Sequence, residues 1–123
     1  DSAAADPTVR RLTGELVADL VAAYTAVIAT GDLLDAFEAG EIDRTQLAVP
    51  VYAAKVAATT AALRATSEIY TLMGTRSAKR SLGFDRHWRN ARTLSLHDPV
   101  EWKRVEIGRH VLEAWEPEPG LYQ

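Results

Sequence analysis

The sequence predicts an all-α protein, and three observations lead to that fold class. Apolar residues recur three or four positions apart over long stretches, which is the spacing of one face of a helix. The 7 glycines and 5 prolines stand at a few places that divide these stretches. No stretch alternates apolar and polar residues between hairpin turns, as a half-buried strand does.

Composition excludes several classes of function. The 123 residues suffice for one domain with its own core. A net charge of −3 argues against nucleic acid or anionic membranes as partners, and no apolar run reaches the roughly 20 residues of a membrane helix. The first residues lack the pattern of a signal peptide. Cysteine is absent, which removes thiolate chemistry and fits the reducing cytoplasm. We expect a cytoplasmic protein without a metal site.

Two long helices are predicted in the first part of the chain. Asp6 and Pro7 suit the N-cap and first position of a helix that ends at a cap near Gly40. Gly31 either breaks this helix or weakens it. The residues predicted to form its core stripe are Val9, Leu12, Leu16, Leu20, Tyr24, Val27 and Ile28.

The second helix follows a polar linker over residues 41–44 and ends near Met73. Pro50 fits this helix only in the first turn or at a kink, because proline lacks the N–H that a helix interior needs. One face carries small side chains that let another helix approach closely, so we expect it to be buried. Its members are Val51, Ala54, Ala58, Ala61, Ala62, Ala65 and Ile69.

Two shorter helices are predicted after a loop over residues 74–83. The third helix covers about residues 84–96. Asp98 stands as the N-cap of the fourth helix, with Pro99 in the first position and Glu101 completing a capping box. The tryptophans expected in the core are Trp88, Trp102 and Trp115, the last of which ends the fourth helix.

Positive charge is concentrated between residues 75 and 92. Six cations stand there against one acid, Asp85. Glycine-bearing loops and guanidinium groups suit phosphate, while charge alone leaves open a solvated basic face or salt bridges to the first helix. The cations are Arg76, Lys79, Arg80, Arg86, Arg89 and Arg92.

The stretch 85–99 is more specific. It reads Asp-Arg-His-Trp-Arg-Asn-Ala-Arg-Thr-Leu-Ser-Leu-His-Asp-Pro. The run Arg-His-Trp-Arg-Asn-Ala-Arg-Thr, followed after three residues by His-Asp-Pro, resembles the C-terminal signature of flavin-dependent monooxygenases with the acyl-CoA dehydrogenase fold, the dibenzothiophene monooxygenase group. The segment Ala-Ala-Lys-Val-Ala-Ala-Thr at 53–59 also fits, and the likeness is strongest over residues 53–112.

The resemblance implies that residues 1–123 are the C-terminal helical domain of a larger flavoenzyme, an antiparallel helical bundle without its usual first helix. In the family this bundle packs against an N-terminal helical domain and a β-domain within a homotetramer. Reduced flavin, FMN or FAD, often comes from a separate reductase and reacts with O2 to give a C4a-(hydro)peroxyflavin that oxygenates a small organic substrate. The identity of the flavin and of the substrate stays open.

The resemblance also implies site residues. The loop Gly74, Thr75, Arg76 and Ser77 corresponds to one that approaches the flavin phosphate, often across a subunit boundary. This chain has Met-Gly at the start of the loop where the family often has Gly-Gly, so the path of the loop is open. The histidine that matches His97 lies near the isoalloxazine ring and is implicated in the oxygen chemistry.

Physical reasoning adds roles for nearby residues. Arg92 is expected to reach phosphate, to hold a domain interface, or to do both. His97 is expected just before the N-cap of the fourth helix, where a positive helix end favours a neutral imidazole that serves as base or hydrogen-bond partner. Asp98 is better explained as a cap than as a partner of His97. His87 and His110 lie inside helices and are expected to have ordinary roles.

Two other classes stay open. Many acyl-CoA dehydrogenases carry their catalytic base in a Glu-Gly-Thr turn at about the place of residues 96–99, and the lack of that glutamate here favours oxygenation. The second alternative is a helical binding or assembly module without chemistry, because the chain contains no segment that resembles the flavin-holding β-domain.

Overall fold

The structure is a computed structural model that describes residues 2–119, and this part of the chain contains helices and no strand. The all-α prediction is confirmed. Four α-helices follow in the order α1 (Pro7–Glu38), α2 (Arg44–Met73), α3 (Asp85–Leu96) and α4 (Val100–Glu113). Short 3-10 turns cover Ala3–Ala5, Thr75–Ala78 and Arg80–Leu82.

α2 forms the centre of the bundle, because α1, α3 and α4 all pack against it. α1 and α2 are joined by a short loop and lie antiparallel, so Arg64 in the second half of α2 reaches Asp19 in the first half of α1. α3 and α4 then follow one another back along α2. The start of α3 lies near the end of α2, whereas Asp98, between α3 and α4, reaches Lys55. The bundle is antiparallel, as expected.

Local signals set both ends of α1. At its start the Asp6 carboxylate accepts hydrogen bonds from two backbone N–H groups of the first turn, at 2.7 and 3.3 Å. At its end Gly40 has φ +75°. The N–H groups of Gly40 and Glu41 donate to the carbonyls of Phe37 and Ala36, which satisfies two groups that a helix end leaves unpaired. Both predicted caps are confirmed.

Two residues that disfavour helix lie inside the long helices. α1 continues through Gly31 without a break. α2 begins at the N-cap Asp43, which forms a capping box with Gln46. Pro50 lies in the second turn of α2, not in its first. A proline there removes one helical hydrogen bond and costs about 3 kcal/mol; the packing of α2 against three helices offsets that cost.

The predicted core stripe of α1 is right at its start and wrong further along. Leu12 and Leu16 are buried, with 6% and 5% of their surface exposed. The later members are exposed, and Ala23 is buried in their place. On the small-residue face of α2 that was expected to be buried, Ala54 and Ala61 are buried, whereas Val51 and Ile69 are exposed. The exposed members of the predicted stripe are Leu20, Tyr24, Val27 and Ile28.

Large apolar side chains therefore remain exposed along α1, among them Val17, Val21 and Leu34 besides the members of the stripe. By length and composition α1 could cross a membrane, with a mean hydropathy of 1.5 over an 18-residue window. That differs from the expectation drawn from the sequence, although core helices of soluble proteins meet the same criterion. Glu15 and Asp19 of α1 form ion pairs with Arg64 of α2, so part of the helix faces the bundle.

The prediction that the tryptophans pack in the core is wrong for two of them. Trp88 and Trp102 are exposed by 42% and 64%. Trp115 is half-buried, and the Arg109 guanidinium lies 4.6 Å from the centre of its ring. Trp88 lines an open hollow beside α2 together with Thr66, Ser67 and Tyr70, so this helix covers its ring only in part.

Candidate functional site

His97 ends α3 at the corner where the chain turns into α4. Its backbone N–H donates to the carbonyls of Thr93 and Leu94, at 3.3 and 3.2 Å, and its side chain is exposed. Ser95 and Val100 on either side are buried, with 2% and 6% of their surface exposed. The corner is thus anchored in the bundle on both sides of His97 and presents the imidazole at the surface, where another molecule can reach it.

Asp98 does not cap α4, so that prediction is wrong. α4 begins at Val100 with Pro99 as its N-cap, and no side chain caps its first turn. Glu101 forms an ion pair with Arg104 and does not complete a capping box. His97 therefore lies two residues before the N-cap and is itself the C-cap of α3. The Asp98 carboxylate is bound by lysines, and those contacts explain why it does not cap the helix.

Two lysines hold Asp98. The Nζ atom of Lys55 on α2 donates to its Oδ2 and to its backbone carbonyl, both at 2.6 Å. The Nζ atom of Lys103 on α4 lies 3.6 Å from Oδ1. Burial acts to raise the pKa of Asp98, but the Lys55 hydrogen bond and the two ammonium charges outweigh it and hold that pKa below its ordinary value. Asp98 thus ties the α3–α4 corner to α2.

Lys103 is buried beneath this corner, with 3% of its surface exposed. Its ammonium group also pairs with Glu106 at 3.1 Å and lies 4.4 Å from the centre of the Tyr52 ring. Tyr52 is buried, and burial raises the pKa of its phenol. Two lysines and two carboxylates make the cluster neutral, which limits the cost of burying its charges.

Sequence reasoning did not find the Lys55–Asp98–Lys103 cluster. One sequence feature could have indicated Lys55: it is a lysine within a run of alanine and valine on a central helix. A cation in such a run is buried only with a partner. Nothing in the pattern identifies the partner, because Asp98 lies 43 residues further along the chain.

The loop after α2 begins with a backbone conformation that glycine adopts readily and other residues do not. Gly74 has φ 74° and ψ 177°. Its carbonyl accepts hydrogen bonds from Ser77, from the N–H at 3.0 Å and from Oγ at 2.6 Å. Ser77 is buried, and it lines an open hollow of ≈ 390 Å³ together with Thr75, while Thr75 and Arg76 are exposed. Thr75 and Arg76 can therefore contact a phosphate, and Ser77 shapes the loop.

The predicted site residues do not converge within one chain. Gly74 caps the end of α2, whereas Asp98, the neighbour of His97, is bound to Lys55, 19 residues earlier on the same helix, about 28 Å along its axis. Arg92 lies between them on α3; it is exposed, and its Nη1 is 3.4 Å from the Oγ of Ser95. Among residues 2–119 no group of three or more acidic or imidazole side chains could hold a metal ion.

Comparison with known proteins defines the class to which this bundle belongs. The family model described as acyl-CoA dehydrogenase, C-terminal domain, matches residues 1–102, and the chain belongs to this family. A dibenzothiophene monooxygenase of Mycolicibacterium goodii is 41% identical over 121 residues, which cover 94% of this chain and 29% of the relative. The probable FMNH2-dependent monooxygenase SfnC of Pseudomonas putida is 37% identical, covering 98% of this chain and 32% of the relative.

Solved structures give the same assignment. FMN-bound TdsC from Paenibacillus sp. A11-2 superposes with a TM-score of 0.91 at 37% identity and covers 100% of this chain and 32% of that protein. The methanesulfinate monooxygenase MsuC from Pseudomonas fluorescens has a TM-score of 0.91 at 35% identity, with 99% and 33% covered. The resemblance found in the sequence is confirmed. This chain spans about a third of the length of these relatives.

Proposed function

We propose that this chain is the C-terminal helical domain of a flavin-dependent monooxygenase. The observation that carries the proposal is His97, an exposed imidazole at a corner that is anchored on both sides. Support comes from relatives that match nearly the whole chain and are named as monooxygenases. The remaining domains of the enzyme belong to the same polypeptide or to a partner chain.

Reduced flavin, when bound, supplies the two electrons that activate O2. One oxygen atom goes to a small organic substrate, the other leaves as water, and the flavin is oxidised. If the transfer fails, the same two electrons and two protons leave with O2 as hydrogen peroxide. The proposed role of His97 is to accept or donate a proton beside the flavin ring, so its loss should shift the outcome from oxygenated product toward peroxide.

FMN is the proposed cofactor. The Paenibacillus relative is described as FMN-bound and the Pseudomonas putida relative as FMNH2-dependent. The exposed hydroxyl of Thr75 and guanidinium of Arg76 suit a single terminal phosphate, because a guanidinium can donate two parallel hydrogen bonds to it. On this proposal a separate reductase delivers reduced FMN, and the enzyme works in the cytoplasm.

The site is proposed to be shared between subunits of a homotetramer. The Gly74–Ser77 loop lies at the end of α2 and the His97 corner lies at Lys55, about 28 Å away along that helix, so one chain would contribute each to a different flavin. Arg92 lies between them and would contact phosphate or a neighbouring domain. The exposed apolar side chains of α1 and α4 support burial against further protein.

Anaerobic titration of the complete enzyme with reduced FMN and reduced FAD tests the cofactor. We expect tighter binding of FMN. Oxygen is then admitted with dibenzothiophene or methanesulfinate, compounds that appear in the names of relatives, and oxygenated product and hydrogen peroxide are measured. Anaerobic bleaching of oxidised flavin by an acyl-CoA, without oxygenation of either compound, would instead support the dehydrogenase alternative.

His97→Ala tests the histidine, and His87→Ala is its matched control, since His87 is also an exposed histidine of α3. We expect His97→Ala to keep FMN affinity and to lower product formation 100-fold or more, within the usual contribution of a general acid or base. His87→Ala should keep both. Unchanged oxygenation in His97→Ala would exclude the proposed role.

A further inference from the structure

The residue after His97 has an unfavourable backbone conformation. Asp98 has φ +51°, in the left-handed region that side chains rarely occupy. Pro99 follows, and a proline restricts the residue before it further. Such a conformation persists only where the surroundings hold it. Whatever holds Asp98 therefore sets the direction in which the chain leaves His97.

Lys55 is the group that holds it. One ammonium binds both the backbone carbonyl and the carboxylate of Asp98, each at 2.6 Å. Asp98 cannot rotate about its backbone or its side chain without losing one of these bonds. Lys55 belongs to α2, the helix against which the other three pack, so the corner is fixed to the centre of the bundle.

Lys103 fixes the other side of the corner. It comes from the first turns of α4 and approaches the second carboxylate oxygen of Asp98 at 3.6 Å. Its burial leaves its ammonium no bulk water, so its position depends on Asp98, Glu106 and the Tyr52 ring. The start of α4 and the end of α3 are thus joined through one carboxylate that directly follows His97.

We propose that Lys55, Asp98 and Lys103 are positioning residues that hold the His97 imidazole at the height and angle at which it meets the flavin. The inference rests on the proposed function of His97. None of the three needs to touch flavin or substrate. They restrict the motion of the α3–α4 corner. This matters for His97 because a catalytic group displaced by about 1 Å can lose on the order of 100-fold in rate.

The test compares Lys55→Met with Arg64→Met in the complete enzyme. Both variants keep an apolar stem and remove a cation of α2 that pairs with another element. Arg64 pairs with α1 through Asp19 and Glu15 and lies nine residues from Lys55, about 13 Å along the helix. Lys55→Arg restores the charge, and Asp98→Asn keeps the size of the side chain while removing its charge, in case Lys55→Met does not fold.

Two measurements are made on each variant. The first is amide hydrogen exchange of peptides covering residues 94–100 in flavin-free enzyme, which needs no substrate. The second is the ratio of hydrogen peroxide to oxygenated product with reduced FMN, O2 and dibenzothiophene or methanesulfinate. We expect Lys55→Met to raise both the exchange rate and the ratio about tenfold or more, Asp98→Asn to change both in the same direction, and Lys55→Arg to reverse most of the effect. Arg64→Met should raise exchange in α1 and leave the ratio unchanged.

Unchanged exchange at residues 94–100 in Lys55→Met and Asp98→Asn would overturn the proposal. An equal rise of the ratio in Arg64→Met would also overturn it, since the effect would then be general loosening of the bundle. If the unmodified enzyme binds reduced FMN but oxygenates neither compound and His97→Ala changes nothing, the proposed function fails. The exchange measurement still decides whether Lys55 fixes the corner.

Discussion

Arg64 connects to Asp19 across the interface of the two longest helices, with Nη1 2.6 Å from Oδ2. The same guanidinium donates to Glu15 at 2.7 Å and to Glu68 at 3.0 Å. Its hydrogen bond is the main reason why the pKa of Glu15 lies below its ordinary value. A third of the Arg64 side chain is exposed, so water screens part of the attraction.

Arg64→Met is expected to lower the thermal midpoint of the enzyme by only a few degrees, because partly exposed ion pairs contribute modestly. Arg89→Met is the matched control: its pair with Asp85 joins residues of one helix and is more exposed, at 65% and 50%. It should leave the midpoint within about one degree. Differential scanning calorimetry measures the thermal midpoints of both variants. Equal midpoints would mean that the ion pairs between α1 and α2 do not stabilise the fold.

Acid should weaken the α3–α4 corner in a way that depends on Lys55. The folded-state pKa of Asp98 lies below its ordinary value of 3.8. A lowered pKa stabilises the fold at pH values above the unfolded pKa, and the contribution disappears as pH falls from about 4 through the folded pKa. Lys55→Met removes the strongest cause of the lowering. Its thermal midpoint should therefore fall less between pH 7 and pH 3 than that of the unmodified enzyme.

The control for this comparison is Lys79→Met, since Lys79 is exposed in the loop before α3. Its midpoint should follow the pH dependence of the unmodified enzyme. Parallel curves for the Lys55→Met variant and the unmodified enzyme would contradict the assigned role of Lys55 in lowering the pKa of Asp98.

Caps and helix periods could be predicted because they depend on neighbours in sequence. Asp6 and Gly40 end α1 as expected, since an N-cap oxygen and a left-handed glycine act within four residues. Asp98 shows where this reasoning fails. Asp-Pro before a helix is a good cap signal, but Lys55 binds the same carboxylate from 43 residues away, and a charged partner outweighs one capping hydrogen bond.

Burial could be predicted only where this chain supplies both partners. The period of α1 identifies its apolar side, and Leu16 on that side is buried against the bundle. Tyr24 lies on the same predicted stripe and is 69% exposed. A period cannot tell which segment covers an apolar residue. For the proposed flavin site, the predicted third helix already stood between the Gly74–Ser77 loop and His97, but the sequence does not tell which segments complete the site around either of them.

Ala114→Gly should stabilise the enzyme. Ala114 ends α4 with φ +53°, a conformation that costs a residue with a Cβ about 1 kcal/mol and costs glycine almost nothing. Ala39 ends α1 with φ −75°, so Ala39→Gly relieves no strain and should destabilise by about 0.5 kcal/mol. Both alanines are exposed C-cap residues. If Ala114→Gly and Ala39→Gly shifted the thermal midpoint in the same direction, Ala114 would not be strained.

Gly74→Ala should weaken FMN binding, while Gly83→Ala should not. Both glycines have positive φ, and a Cβ would meet no atom within 4 Å at either position, so only backbone strain distinguishes them. Gly83 has φ 64° and ψ 19°, which other residues adopt at a cost of about 1 kcal/mol. Gly74 has ψ 177°, in a region that is nearly restricted to glycine and costs up to about 3 kcal/mol.

Relief of that strain would move the Gly74 carbonyl, which accepts both hydrogen bonds from Ser77. The exposed hydroxyl of Thr75 and guanidinium of Arg76 would then lose the placement proposed for phosphate. We expect the Kd for reduced FMN to rise about tenfold in Gly74→Ala, equivalent to about 1.4 kcal/mol, and to stay unchanged in Gly83→Ala. Anaerobic fluorescence titration measures both. If both variants bound reduced FMN with equal affinity, displacing Thr75 and Arg76 would have no effect on binding. The flavin phosphate would then bind elsewhere.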